Sequence, residues 1–169
     1  MKTNIILFFL LVLFCSCEEH YGTNEPHHEN FEKRTVHSTL LDSLESGKTY
    51  LSVYSQIYSL SEHKTHNLTV TASIRNIGLK DTVYITKAEY YDTHAKPIHT
   101  YFDKPIYVAP LETVEIVIDD VGQTGVAGAN FIFDWKIKMT STEPLFEGVM
   151  ISTYGSKGLS FTTQGKRIE

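Results

Sequence analysis

From Lys48 onward the chain alternates apolar and polar residues with a period of two. Asn67 to Asn76 reads NLTVTASIRN, with Leu68, Val70, Ala72 and Ile74 on one face and Thr69, Thr71, Ser73 and Arg75 on the other. That is a strand with one buried and one wet face. Residues 129–137 repeat the pattern, with Ala129, Phe131, Phe133, Trp135 and Ile137 inward, and Val114, Ile116 and Ile118 do the same over 113–119. The spacing predicts further strands over 49–58, 82–91, 97–108 (broken at Pro105), 146–154 and 159–162. Turn signals separate them: Asn76-Ile77-Gly78, Asp92-Thr93-His94, Ala109-Pro110, the Gly122–Gly128 loop, Glu143-Pro144 and Gly155–Gly158.

Roughly seven or eight short strands at this spacing predict an all-β, two-sheet β-sandwich. The order of elements, with NxG after one strand and a Pro-led turn before VEIVI, is immunoglobulin-like. About 120 residues suffice for one core without staples. Ahead of this domain, assigned to residues 48–169, the period differs. In HSTLLDSLESGK, Ser38 is placed to cap a short helix, Leu40, Leu41 and Leu44 sit at helical spacing, and Gly47 is placed to end it. Residues 18–34 carry Glu, His, Asn, Gly and Pro, with Tyr21 and Phe31 as the large apolar groups. Such a segment buries too little to offset its ordering entropy, so residues 17–47 read as a flexible tether with a short helix.

The first residues set the expected compartment. Lys2 precedes an apolar run, Ile5 to Phe14, too short to span a bilayer as a helix of about 20 residues. A basic start and a short apolar stretch make a secretory signal, and Ser16 before Cys17 matches the end of a bacterial lipoprotein signal. Residues 1–16 are then removed and Cys17 carries the lipid. Its two or three chains, at about 0.8 kcal/mol per buried methylene, anchor the protein to a membrane of the cell envelope. The outer membrane is favoured, with its periplasmic or surface face left open. The other cysteine, Cys15, leaves with the signal, so no disulfide is available. Losing Lys2 moves the formal net charge from −5 to −6. An acidic chain does not suit nucleic acid, which wants a basic face.

Candidate chemistry is sparse. Gly122, Gly125 and Gly128 invite a phosphate-loop reading, but the loop feeds a strand instead of a helix, and no lysine follows in place. A loop needing positive φ explains the glycines more simply, and Asn130 with nearby backbone can line a small polar pocket. Tyr50, Tyr54 and Tyr58 recur at i, i+4, i+8, so in one strand they share a face that could stack on sugars or dock a partner. The alternative is that both faces are covered, with the tyrosines closing a sheet edge or packing under the N-terminal helix. His63 and His66 lie in an expected turn and are weak metal candidates, as are the histidines of the tether, since a metal site wants three or four ligands on a folded frame. GxSxG and HExxH are absent, and Ser61 to Lys64 fits SxxK as a string alone. Asp42-Ser43 and Asp81-Thr82 resemble O-glycosylation acceptors of exported bacterial proteins. No cofactor and no catalytic activity are expected.

Five blocks carry a resemblance: LSVYSQIY (51–58), TASIRN (71–76), EYYDTHAKPI (89–98), GVAGANFIFDW (125–135) and EGVMISTYGSKGLSFTTQG (147–165). Together they resemble a bacterial family of exported proteins and lipoproteins, the domain of unknown function 3124. The chain departs from it at Val126 and Ala127, where the family often has a second small residue. The resemblance implies domain boundaries and a compartment but no activity. The sequence therefore leads to a lipid-anchored envelope protein whose β-sandwich binds a protein or polymer partner through the Gly125–Asn130 loop and the tyrosine face. The alternative is a small-ligand or metal-binding lipoprotein using Asn130, His63 and His66.

Overall fold

The computed structural model describes residues 29–118, 127–154 and 157–169. Twelve strands are described among them. They are β1 (Glu45–Val53), β2 (Gln56–Ser59), β3 (Ser61–Asn67), β4 (Thr69–Arg75), β5 (Val83–Tyr91) and β6 (Pro97–Phe102). Then follow β7 (Ile106–Val108), β8 (Thr113–Ile118), β9 (Ala129–Ile137), β10 (Leu145–Tyr154), β11 (Lys157–Gln164) and β12 (Lys166–Arg167). One sheet runs β12-β1-β9-β5-β6, with β7 also on β5; a second runs β11-β10-β4-β8; β2 and β3 form a separate ribbon. Every strand pair is antiparallel.

Alternation builds the core as the sequence predicts. Leu68, just ahead of β4, Val70, Ala72 and Ile74 of β4, and Phe131, Phe133 and Trp135 of β9 are buried, and they join one cluster between the two larger sheets. Phe133 of β9 stacks on Phe146 of β10 at 4.6 Å between centroids, crossing from one sheet to the other. Such pairs contribute about 0.5–1.5 kcal/mol beyond the area they bury. Tyr101 packs on Phe131 at 5.6 Å, and burial pushes its phenol up to about 12. Strand 97–108 breaks before Ile106, as Pro105 predicts, and its two halves pair with opposite ends of β5.

The expected helix is replaced by a single 3-10 turn, Ser38–Leu41, capped in position by His37 without a side-chain bond. Leu41 is buried apart from the main core, and its carbonyl accepts from Lys136 Nζ at 3.1 Å, which seats the turn on the outside of β9. Residues 29–34, read from sequence as the end of the tether, are docked. Phe31–Arg34 form another 3-10 turn, Phe31 packs on Phe102 at 4.9 Å, and Arg34 pairs with Glu112 at 2.8 Å. One aromatic anchor and one shared guanidinium suffice here, because Val36 N–H also donates to Pro105 O at 2.8 Å along the edge of β7.

Gly47 does not end a helix. It lies inside β1, opposite Trp135 of β9, and a Cβ on it would come within 2.2 Å of the indole ring. The indole N–H donates to Thr49 Oγ1 at 2.9 Å, and the Arg167 guanidinium sits 5.0 Å from the ring centroid. Glu45, at 3.2 Å, and Glu143 hold that guanidinium in place. Glycine is thus required by close approach, since any side chain would displace the ring. Gly47→Ala is expected to destabilise the domain by about 3 kcal/mol, the upper end of ordinary overpacking. Urea unfolding followed by circular dichroism reads this, and an unchanged midpoint would mean that the indole does not rest on Gly47.

Candidate functional site

The tyrosine stripe is divided. β1 ends at Val53 and β2 begins at Gln56, because buried Ser55 turns the chain and its carbonyl accepts from Leu68 N–H at 2.9 Å. Tyr50 stays on the outer face of the six-stranded sheet. Tyr54 is half-buried, with its ring 5.9 Å from Phe161, and Tyr58 stands exposed on the ribbon. The three therefore do not share one face. Tyr90 and Tyr91 point to opposite sides of β5, as alternation requires, with Tyr90 buried and Tyr91 half-exposed.

His63 and His66 lie in strand β3, not in a turn. Three residues apart in a strand, they point to opposite faces, which removes the convergence a metal pair would need. Among the described residues no group of three or more His, Cys, Asp or Glu is placed to hold a metal. Cys17 and Gly125 lie outside the described residues. Gly128 has φ +87, the left-handed conformation predicted for this loop, and a Cβ there would lie 3.4 Å from Thr93 Cγ2 and 3.8 Å from Tyr54 Cε1.

Strand register brings Tyr50 and Asn130 onto one surface. On the outer face of the six-stranded sheet three rows cross β1, β9 and β5: Lys48–Asp134–Lys87, Tyr50–Ile132–Glu89 and Ser52–Asn130–Tyr91. Facing residues sit about 4.5–5.5 Å apart, so the rows form one continuous patch. Lys87 Nζ and Tyr91 Oη both reach the Glu89 carboxylate at 2.8 Å. The Lys87 ammonium holds the Glu89 carboxyl below its usual range, and the Glu89 carboxylate, with some burial, raises the Tyr91 phenol. Lys48 Nζ lies 3.1 Å from the Glu169 carboxylate and 3.8 Å from Asp134 Oδ1, and these three border an open cleft of about 360 Å³.

Sequence reading missed Lys87, Glu89, Tyr91 and Ile132 as parts of a shared surface. A signal was present: Lys-x-Glu-x-Tyr in 87–91 has the period of two that puts all three on one side of a strand. Chemically the patch is an aromatic and aliphatic centre flanked by amide, hydroxyl and paired charges. Exposed ion pairs of this kind contribute about 0–1 kcal/mol each, so they orient side chains more than they stabilise the fold.

Fold and surface together define an all-β domain built on two packed antiparallel sheets, with one sheet face left open. The family model described as Protein of unknown function (DUF3124) matches residues 46–168, and the chain belongs to that family. It is the family that the five sequence blocks resemble, and the match runs from the second residue of β1 to just past β12. No curated protein matches the chain. The crystal structure of Thermotoga maritima 1070 is similar over 71% of this chain and 92% of that one, at 12% identity and a TM-score of 0.45.

Glu89→Gln is expected to return the Tyr91 phenol toward its ordinary value while leaving buried Tyr90 raised. Ring-carbon NMR titration of the tyrosines reads both. A Tyr91 that titrates as in the parent chain would mean that the Glu89 contact does not form.

Proposed function

We propose that this chain is a lipid-anchored, non-catalytic interaction module of the bacterial cell envelope, holding a protein or polymer partner on the outer face of its six-stranded sheet. The supporting observation is the patch of Tyr50, Ile132, Glu89, Ser52, Asn130 and Tyr91, in register and partly exposed. Aromatic and aliphatic groups ringed by amides and hydroxyls suit a broad, partly polar ligand surface. The charges of the patch are engaged with one another: Glu89 with Lys87, Lys48 with Glu169. That arrangement favours recognition over proton transfer, which needs a group left poised between protonation states.

The sandwich is read as immunoglobulin-like, with its terminal strands exchanged. β4 pairs with β8, and β5 with β9, as strands B and E, C and F do in that fold. β1 then takes the place of G beside β9, and β10 the place of A beside β4. The anchor is the lipid on Cys17, with residues before Glu29 as the link to the domain.

A second reading, a small polar ligand, is favoured by the cleft beside Lys48. There Asp134 Oδ1 is buried and accepts no hydrogen bond from the described residues. Site-specific photocrosslinking in the native envelope separates the two. With benzoylphenylalanine in place of Tyr50 or Ile132, a discrete adduct is expected. It should be absent at Val117, which is exposed on the outer face of the other sheet. Equal labelling at all three positions, or none at 50 and 132, would contradict the interaction reading. A stoichiometric extra mass in the native spectrum, lost on denaturation, would favour the cleft.

A further inference from the structure

At the end of the sandwich where β4, β7 and β9 run out, three loops are tied together. Asn76, buried, donates through Nδ2 to Asp81 O at 2.8 Å and to Val108 O at 3.0 Å. Leu111 N–H donates to Gly78 O at 3.2 Å, and Lys138 Nζ reaches Asp81 Oδ1 at 2.6 Å. On this frame four large apolar side chains stand in solvent: Ile77 at 48% exposure, Leu79 at 76%, Leu111 at 67% and Met139 at 86%. A lone exposed leucine needs no explanation, but four such groups on three joined loops mark a contact surface. Leu111 also holds φ +62, a left-handed conformation that disfavours residues other than glycine and asparagine. Leu60, in the turn between β2 and β3, shares that conformation at 95% exposure, so the cluster of four apolar groups, and not the backbone of Leu111, carries the inference.

The path of the chain points to the occupant. Glu29 binds Arg34, and Arg34 lies 2.8 Å from Glu112, whose carbonyl accepts from Asn76 N–H; the described chain therefore starts at this same end. Cys17 is about a dozen residues upstream, a reach of at most about 40 Å. β5, nine residues long, already spans about 30 Å of the domain. A link of that reach lets this end meet the bilayer without forcing it there, so it is the exposed apolar groups, at the end from which the chain leaves, that favour this end. We infer that Ile77, Leu79, Leu111 and Met139 form a membrane-contacting rim, seated at the headgroup boundary of the bilayer that holds the Cys17 lipid. This rests on the lipid-anchor reading above. Lys138 and Arg34 are already paired with Asp81 and Glu112, and exposed Lys80, next to Leu79, adds one cation at headgroup level to an otherwise apolar contact. The sheet face carrying Tyr50 and Asn130 then stands along the membrane normal, open to partners.

The test uses the full chain, purified from envelope membranes and reconstituted in phosphatidylcholine vesicles. Leu79→Cys, Met139→Cys and Lys96→Cys each receive an environment-sensitive dye, Lys96 lying in the turn at the opposite end of β5. A lipidated Cys17 has no free thiol, so one dye per chain together with an intact mass that includes the lipid on Cys17 reports the anchor itself. The expected result is one dye per chain, with a blue shift and quenching by nitroxide lipid at 79 and 139 and neither at 96. One dye per chain with equal signals at both ends would overturn the rim and leave the anchor standing. More than one dye per chain would sink the anchor and the rim together. Shielding at 79 that appears only when envelope proteins are added would overturn the rim in favour of a protein partner.

Discussion

The fold turns on the seating of one indole. Trp135 is buried at the end of β9, and its ring needs the space that a side chain at position 47 would fill. Thr49 satisfies the indole N–H, and Arg167 lies over the ring from β12. Three strands of one sheet therefore meet on a single side chain. Leaving the N–H unpaired would cost about 1–3 kcal/mol, and the aromatic area carries a larger share still. Because Arg167 is itself held by Glu45 and Glu143, the same residue ties the end of the described chain to the start of β1.

That constraint governs what the outer face displays. The pairing of β1 with β9 runs unbroken from Glu45↔Ile137 to Val53↔Ala129, with Gly47↔Trp135 near one end. A slip of one residue would send Tyr50 and Lys48 inward and Leu51 outward, since side chains alternate with a period of two. The ring on Gly47 forbids that slip. The rows of Tyr50 with Ile132 and Ser52 with Asn130 are thus consequences of a core contact on the opposite side of the sheet. On β5 the bulge between Ile85 and Lys87 shifts the register so that Lys87, Glu89 and Tyr91 complete the rows.

How much of this could be read from sequence depended on whether the cause was local. β9 was legible residue by residue, because five inward apolar groups alternate without a break. The break after Val53 was not: the alternation continues through Tyr54 and Ile57, and no glycine or proline marks the corner, which is set by the bond from Leu68 to Ser55. β3 was missed for the opposite reason. SEHKTHN buries almost nothing, and its strand form follows from pairing with β2 more than from any apolar period. Gly47 looked like a helix stop because Leu40, Leu41 and Leu44 have helical spacing. Its actual role depends on a tryptophan 88 positions further along the chain. The candidate surface was half legible: Tyr50 and Asn130 were picked out singly, and only the register shows them to be neighbours.

The most direct test of this account is the fluorescence of Trp135, the single tryptophan of the chain. An indole enclosed by Gly47, Thr49 and Arg167 should emit at the blue end of the tryptophan range and resist quenching by iodide and acrylamide until the domain unfolds. Red-shifted emission with ready quenching in the folded protein would show that the ring is not enclosed. The register of β1 on β9, and the outer face drawn from it, would then have to be given up.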